Sequence, residues 1–102
     1  MTSIAPREPA DTVIVSVDTH KHVHVAVAIG VDGQLLGEFR IPVDSTGYRE
    51  LDHWAQTLGR LVAFGIEDTG SYGVGLASYL RRQGRRVVEV NRVIAARAGR
   101  TA

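Results

Sequence analysis

The sequence predicts a small mixed α/β domain with the element order β-β-β-α-β-α-β. Two observations support this prediction. Two runs rich in β-branched residues, separated by a short polar turn, lie within residues 12–29 and are followed by an Asp-Gly turn signal, and apolar residues at helical spacing follow Pro42 in two segments that alternate with further short apolar runs. With 102 residues, 44% of them hydrophobic, the chain can bury one modest core and is too short for two domains.

The first three predicted strands form an antiparallel meander. The continuous run TVIVSV, Thr12 to Val17, predicts a strand buried on both faces and therefore central in its sheet, with Asp18 closing it. Residues 22–29 alternate, so that four apolar side chains share one face of a second strand. The Asp-Gly pair within Val31-Asp32-Gly33 is typical of a tight hairpin, and residues 34–41 then predict a third strand.

Helical spacing replaces strand periodicity after the third strand. Apolar residues recur over residues 48–58, with Asp44-Ser45-Thr46 as N-cap candidates and Gly59 beyond the helix end. The short apolar run LVAFGI, residues 61–66, again predicts an inner strand, which ends on Glu67.

The remaining elements complete the topology. Asp68-Thr69-Gly70-Ser71 predicts a turn, a second helix is predicted from about Tyr72 to Gln83, and residues 86–90 predict a fifth strand. Because strand-helix-strand connections are right-handed crossovers, the fourth and fifth strands should run parallel to the first, in the spatial order 3-2-1-4-5. This arrangement is the mixed sheet of a ribonuclease H-like, or RuvC-like, fold.

Two acidic residues are placed by this topology at one edge of the sheet. Asp18 and Glu67 each follow the last apolar residue of a strand, and parallel neighbours bring such residues side by side. Their repulsion requires a proton or a cation, and Mg²⁺ or Mn²⁺ suits carboxylate oxygens. Two such ions about 3.5 to 4 Å apart support phosphodiester chemistry. A single acidic residue at a strand end is more often a turn or cap residue. Asp68 could replace Glu67 as a ligand, but its position favours a cap of the second helix.

Other polar residues lie in the segment after the first strand. His20, His22 and His24 alternate, so on a strand they would share one face. Such a set is a candidate metal site, but without acidic partners it is more typical of a solvated face or of residues beneath a helix. Lys21, in the turn beside Asp18, is either a phosphate contact or simply exposed.

Positive charge is concentrated at the C-terminal end of the chain. Residues 1–80 hold five basic and ten acidic side chains, whereas residues 81–102 hold seven arginines and one acidic residue. Four of these arginines cluster around the end of the second predicted helix: Arg81, Arg82, Arg85 and Arg86. Arginine binds phosphate in a bidentate geometry, which indicates a nucleic-acid partner. A favourable interaction with the helix dipole is the structural alternative.

The sequence also indicates the compartment and the ends of the domain. It contains no cysteine, so a reducing compartment, the cytoplasm, is predicted. Residues 1–11 lack the pattern of a signal peptide, and no apolar run approaches the roughly 20 residues that cross a bilayer. We expect residues 1–11 to be a disordered leader, residues 12–91 to form the domain and residues 92–102 to be a basic tail.

Two long segments resemble a known family. They are VSVDTHKHVHVAVAIGVDGQLLGEFRIPVDSTGYRELDHWA and FGIEDTGSYGVGLASYLRRQGRRVVEVN. The first contains the signature VDTHKHVHVAV and the second GIEDTGSYG. Together they resemble the N-terminal RuvC-like domain of the DEDD transposases of bacterial insertion sequences, the one-hundred-and-ten type. The resemblance covers Val13 to about Asn91. It implies a metal-dependent DNA recombinase in which Asp18 and Glu67 match the first two catalytic acidic residues.

The family pattern is incomplete in this sequence. In the family, two further aspartates follow the fifth strand and a separate C-terminal domain supplies a serine nucleophile. The segment RVIAARAGRTA, residues 92–102, contains neither Asp nor Glu. Two carboxylates can hold one hydrated magnesium weakly but provide too few ligands for two ions. We therefore expect a truncated catalytic domain that is inert by itself.

Three classes of function are consistent with these observations. The first is the DNA recombinase, or part of one, for which the resemblance implies DNA, Mg²⁺ or Mn²⁺, homo-oligomers and in some cases a structured guide RNA. The second is an actin-like or sugar-kinase-like phosphotransferase, but the bulky DTHKH segment stands where those folds have a glycine-rich phosphate loop. The third is a non-catalytic module for nucleic-acid binding or assembly, which follows if the chain is truncated.

Overall fold

The computed structural model describes residues 12–90, which form one mixed sheet and two helices. The elements in chain order are β1 (Thr12–Thr19), β2 (Val23–Gly30), β3 (Leu35–Pro42), α1 (Ser45–Gln56), β4 (Arg60–Glu67), α2 (Val74–Arg82) and β5 (Val87–Val90). The predicted element order is confirmed. The predicted leader and the predicted basic tail lie outside the described residues. No helix within residues 12–90 has the length and apolar character needed to span a membrane.

The strands are ordered β3-β2-β1-β4-β5, which confirms the predicted ribonuclease H-like arrangement. β1 is antiparallel to β2 and parallel to β4, and β4 is parallel to β5. The hairpin between β2 and β3 turns at Gly33, whose φ of 77° lies in the left-handed region that glycine adopts readily. The Asp-Gly pair therefore acts as predicted. The long connections through α1 and α2 permit the two parallel pairings.

Both helices pack on the same face of the sheet. One continuous core joins Leu51 of α1 and Leu80 of α2 to alternate residues of the strands, among them Val15 and Phe64. The opposite face, which we call the open face, has no helix on it within residues 12–90. The prediction that β1 is buried on both faces is therefore wrong: Ile14, on the open face, is 49% exposed.

The same division into faces applies to β2. Alternation was correctly predicted, and the fully buried side chains are those of His24, Ala26 and Ala28 beneath the helices. Val25 and Val27 are half-buried on the open face. The bulkier aliphatic side chains of β2 therefore lie outside the main core.

α1 is held by its N-cap and by aromatic packing. Asp44 caps it, as predicted, because its carboxylate accepts a hydrogen bond of 2.8 Å from the backbone N–H of Gly47. Trp54 stacks on Phe39 of the edge strand β3, with 5.1 Å between ring centroids. Asp52, also buried, accepts two hydrogen bonds from the Arg85 guanidinium, at 2.7 and 3.1 Å. α1 is thereby joined to the segment between α2 and β5.

The start of α2 differs from the prediction. Its N-cap is Gly73, with no side-chain hydrogen bond at the cap, so the prediction that Asp68 caps this helix is wrong. Asp68 lies five positions earlier in a tight turn, with φ of 49°. Its carbonyl oxygen accepts the backbone N–H groups of Ser71 and Gly73 at 2.9 and 2.8 Å. Asp68 thus shapes the turn through its backbone.

Candidate metal and nucleic-acid site

The two predicted acidic residues emerge at the same edge of the sheet. Asp18 is the penultimate residue of β1, and Glu67 is the last residue of β4. The parallel register pairs Val17 with Ile66, so the next residue of each strand is Asp18 and Glu67, respectively. Because Val17 and Ile66 face the core, alternation directs both acidic side chains toward the open face.

A hydrogen bond from a side chain to the backbone holds the two strand ends together. The hydroxyl of Thr19, which is fully buried, donates a hydrogen bond of 3.3 Å to the backbone carbonyl of Glu67. This bond lies just beyond the Val17–Ile66 pair at the end of the parallel ladder. It therefore fixes the spacing of β1 and β4 at the point from which Asp18 and Glu67 project.

Asp18 and Glu67 line a depression of about 480 Å³ on the open face. Val25 and Val27 of β2 and Val90 of β5 contribute its apolar lining, and Glu38 of β3 adds a third carboxylate. The depression thus combines hard oxygen donors with an apolar surface. Oxygen donors of this kind fit Mg²⁺ or Mn²⁺. Within residues 12–90, however, no group of three or more His, Cys, Asp or Glu side chains is arranged to hold a metal ion.

The three histidines do not share a face. His20 and His22 lie in the exposed turn between β1 and β2, whereas His24 is buried in β2 beneath the helices. The predicted strand alternation fails because β2 begins only at Val23. For His24 the expectation of a residue beneath a helix is confirmed. For His20 the structure adds an acidic partner: its Nε2 lies 3.2 Å from Oδ2 of Asp18.

His24 has an unusual environment for an imidazole. Its Nδ1 accepts a hydrogen bond of 3.3 Å from the backbone N–H of His20, and its Nε2 is buried without a hydrogen-bond partner among residues 12–90. The ring lies parallel to Tyr48, with 6.4 Å between centroids. Burial lowers the pKa of His24 below its ordinary value of 6.5, and the backbone of Val23 and, more weakly, the charge of Asp18 oppose this effect only in part.

This lowered pKa predicts a loss of stability in acid. The unfolded chain takes up a proton at His24 as the pH falls through 6.5, whereas the folded chain resists it, so the free energy of unfolding falls below that pH. Through this one imidazole, the free energy of unfolding can change by at most about 1.4 kcal/mol per pH unit. Urea unfolding of the native chain and of His24→Asn between pH 7.5 and 5 measures the difference. Parallel pH profiles of the two proteins would contradict the prediction.

The predicted basic contacts are not all equivalent. Arg81, Arg82 and Arg86 are exposed at and beyond the end of α2, and Arg82 donates a hydrogen bond of 2.7 Å to the Ser78 hydroxyl. Arg85 is instead joined to Asp52 by the bidentate contact described above. Lys21 is exposed in the same turn as His20, close in sequence to Asp18. A role of these residues in nucleic-acid binding remains a prediction.

Several residues of this region were not found by sequence reasoning as part of the site. They are Thr19, Glu38 and the contacts of His20 and His24. Glu38 enters the depression because β3 pairs with β2 so that Val27 and Glu38 are opposite each other. The antiparallel register of the β2–β3 hairpin is the sequence signal that could have located Glu38.

The fold and its paired acidic strand ends define a ribonuclease H-like domain, and one family within that class matches the sequence. A family model described as a transposase, of the DEDD type of the IS110 insertion sequences, matches residues 15–102. The chain therefore belongs to the IS110 family of DEDD transposases. The resemblance noted from the two sequence signatures is confirmed.

Comparisons with individual proteins add little to the family assignment. No curated protein matches the sequence. Among solved structures, the chain is similar to the crystal structure of the Aquifex aeolicus member of the Ppx/GppA family, with a TM-score of 0.43 and 11% sequence identity. The similarity covers 79% of this chain and 35% of that one. The chain thus spans about a third of the length of that protein.

Proposed function

We propose that the chain is the RuvC-like part of a metal-dependent DNA transposase, in which Asp18 and Glu67 hold a divalent cation. The observation that carries this proposal is the parallel pairing of β1 with β4, which brings both acidic residues to one edge of the sheet and one depression. Family membership supplies the reaction for which such an arrangement is suited.

The cation would supply the chemistry of strand cleavage and transfer. Bound Mg²⁺ or Mn²⁺ activates a nucleophile and stabilises the leaving oxygen of a phosphodiester. Asp18 and Glu67 are the residues that would hold it, and the family pattern calls for two more aspartates. Residues 91–102 contain no acidic side chain. The 102-residue chain by itself should therefore bind one ion weakly and leave DNA intact.

A plasmid assay tests whether the 102-residue chain leaves DNA intact in the presence of a divalent cation. Supercoiled DNA is incubated with the purified 102-residue chain and Mg²⁺ or Mn²⁺, and nicked and linear products are measured. We expect none. Nicking that is lost in Asp18→Asn would overturn the proposed inertness. If the chain bound neither Mn²⁺ nor DNA, the proposed function as a whole would fail.

The exposed arginines at the end of α2 are the proposed DNA contacts. Arg81, Arg82 and Arg86 lie on the exposed surface around the C-terminal end of this helix, and Lys21 lies in the turn that follows Asp18. Cationic side chains of this kind bind phosphates independently of base sequence. Arg85 is the weakest of the predicted contacts, because Asp52 already engages its guanidinium.

Removing one of these arginines should change the salt dependence of DNA binding. We expect Arg81→Ala, Arg82→Ala or Arg86→Ala to reduce the slope of log K against log salt concentration by about 1, because one fewer counterion is released. Fluorescence anisotropy of labelled duplex DNA at four salt concentrations measures the slope. Arg49→Ala, in the exposed part of α1, makes the same charge change elsewhere and should leave the slope unchanged.

A non-catalytic nucleic-acid-binding or assembly module is the second candidate. Two observations favour it. Basic residues are exposed on α2, and within residues 12–90 no three His, Cys, Asp or Glu side chains are grouped so that they could hold a metal ion. DNA binding that persists in EDTA and in the Asp18→Asn variant would favour this role. The same anisotropy assay with structured RNA as competitor tests a guide RNA, and light scattering tests the homo-oligomer that the resemblance implies.

A further inference from the structure

We propose that His20 positions the Asp18 carboxylate for the cation, and that buried His24 fixes His20 in place. This inference rests on the proposed function, since it assigns Asp18 as a ligand. It assigns a role to two residues of the VDTHKHVHVAV segment that do not belong to the acidic pattern. Neither histidine needs to touch the ion for the effect.

The contact between His20 and Asp18 restricts the carboxylate. Nε2 of His20 lies 3.2 Å from Oδ2 of Asp18. A carboxylate oxygen only accepts hydrogen bonds, so Nε2 of His20 must carry the hydrogen. Holding one carboxylate oxygen limits rotation of the side chain about its terminal bond. The outer partners of metal-binding side chains commonly act in this way.

The backbone of His20 is tied to the core through His24. The N–H of His20 donates to Nδ1 of His24 at 3.3 Å, and an amide can only donate, so Nδ1 must be unprotonated. His24 is fully buried, and its ring stacks on Tyr48 of α1. The turn that carries His20 is therefore anchored to a side chain that has little freedom to move.

A simple surface ion pair would not require this arrangement. The side chains of His20 and Asp18 are 51% and 54% exposed, and pairs with such exposure contribute little to folding stability. The hydrogen bond from the turn to a buried imidazole fixes the backbone from which the exposed side chain starts. A positioning role therefore predicts a change in cation binding without a change in stability.

Mn²⁺ titrations of the 102-residue chain, followed by electron paramagnetic resonance, test the role of His20. We expect His20→Ala to weaken Mn²⁺ binding about tenfold or more. His20→Gln, whose side-chain amide can also donate to Asp18, should restore most of the affinity. His22→Ala is the matched control in the same exposed turn and should bind as the native chain does. Thermal unfolding midpoints should agree for all four proteins.

The role of His24 is tested by a second pair of variants. His24→Asn retains an acceptor near the position of Nδ1 and should keep Mn²⁺ affinity, whereas His24→Leu removes the acceptor and should weaken it. Should His24→Leu fail to fold, nitrogen NMR of the native chain still tests the proposal, because it reports which ring nitrogen of each histidine carries the hydrogen. We expect the hydrogen on Nε2 in both His20 and His24, and a hydrogen on Nδ1 of His24 would overturn the proposal.

Failure of this inference can be separated from failure of the proposed function. If Asp18→Asn binds Mn²⁺ as the native chain does, the metal site itself is wrong. If Asp18→Asn loses binding while His20→Ala retains it, only the positioning role is wrong. If His20→Gln behaves like His20→Ala, the hydrogen bond to Asp18 is not the cause and the proposal also fails.

Discussion

Replacing Asp18 by asparagine is expected to abolish detectable Mn²⁺ binding by the 102-residue chain. Asparagine keeps the size and one oxygen acceptor but removes the negative charge, and Glu67, the other proposed ligand, cannot hold a hydrated divalent cation by itself. The Asp18 side chain is more than half exposed, so the fold should be unaffected. Electron paramagnetic resonance measures the outcome directly, because bound Mn²⁺ loses the sharp signal of the free ion.

The control for this experiment is Asp32→Asn. Asp32 is exposed in the turn between β2 and β3, so the substitution makes the same change in net charge outside the candidate site. It should leave Mn²⁺ affinity unchanged, whereas Glu67→Gln should reduce it as Asp18→Asn does. Equal affinities for the native chain and Asp18→Asn would refute the site.

Replacing Gly73 by alanine is expected to destabilise the fold by about 3 kcal/mol. A Cβ atom at Gly73 would clash with the carbonyl oxygen of Glu67 and would lie 3.0 Å from Cγ2 of Ile66. Both atoms belong to β4, which is held between two other strands, so neither can withdraw easily. For a domain of this size the midpoint of thermal unfolding should fall by more than about 10 °C. Calorimetry or urea unfolding measures the change.

Gly70→Ala provides the matched comparison in the same turn. A Cβ atom at Gly70 would meet nothing within 4 Å, and the residue is exposed. Its stability should stay within about 0.5 kcal/mol of the native chain. A Gly73→Ala protein as stable as Gly70→Ala would show that the turn does not approach β4 as closely as described.

The strand order could be predicted because each step had a local cause. The run from Thr12 to Val17 and the run LVAFGI read as inner strands, and the Asp-Gly hairpin fixed the antiparallel half. Which face of the sheet α1 and α2 cover could not be predicted in the same way. Periodicity sorts side chains into two faces, but it does not tell which face the helices will occupy. Val25 and Val27 are more hydrophobic than Ala26 and Ala28, and yet the alanines lie in the core.

For the candidate site, the acidic pair could be predicted from the sequence, but the contacts of the histidines could not. Asp18 and Glu67 could be brought to one edge because parallel strands carry residues at equivalent positions to the same end. The contacts of His20 and His24 depend on the conformation of the three-residue loop between β1 and β2 and on a hydrogen bond from a backbone amide to an imidazole. Residue types and spacing carry no signal for such a bond. The failed cap assignment of Asp68 has a similar cause, since the turn proved longer than the cap pattern assumes.

The parallel pairing of β1 with β4 also affects how the chain acquires its site during folding. The strands of the meander can pair through short turns, whereas β4 joins β1 only after a loop of 48 positions closes between Thr19 and Glu67. Contacts of such sequence separation carry a large entropic cost and form slowly. A partly folded chain with an intact meander and a detached β4 therefore has Asp18 without Glu67. A cation that needs both residues should stabilise only the completely folded chain and should suppress this partial opening.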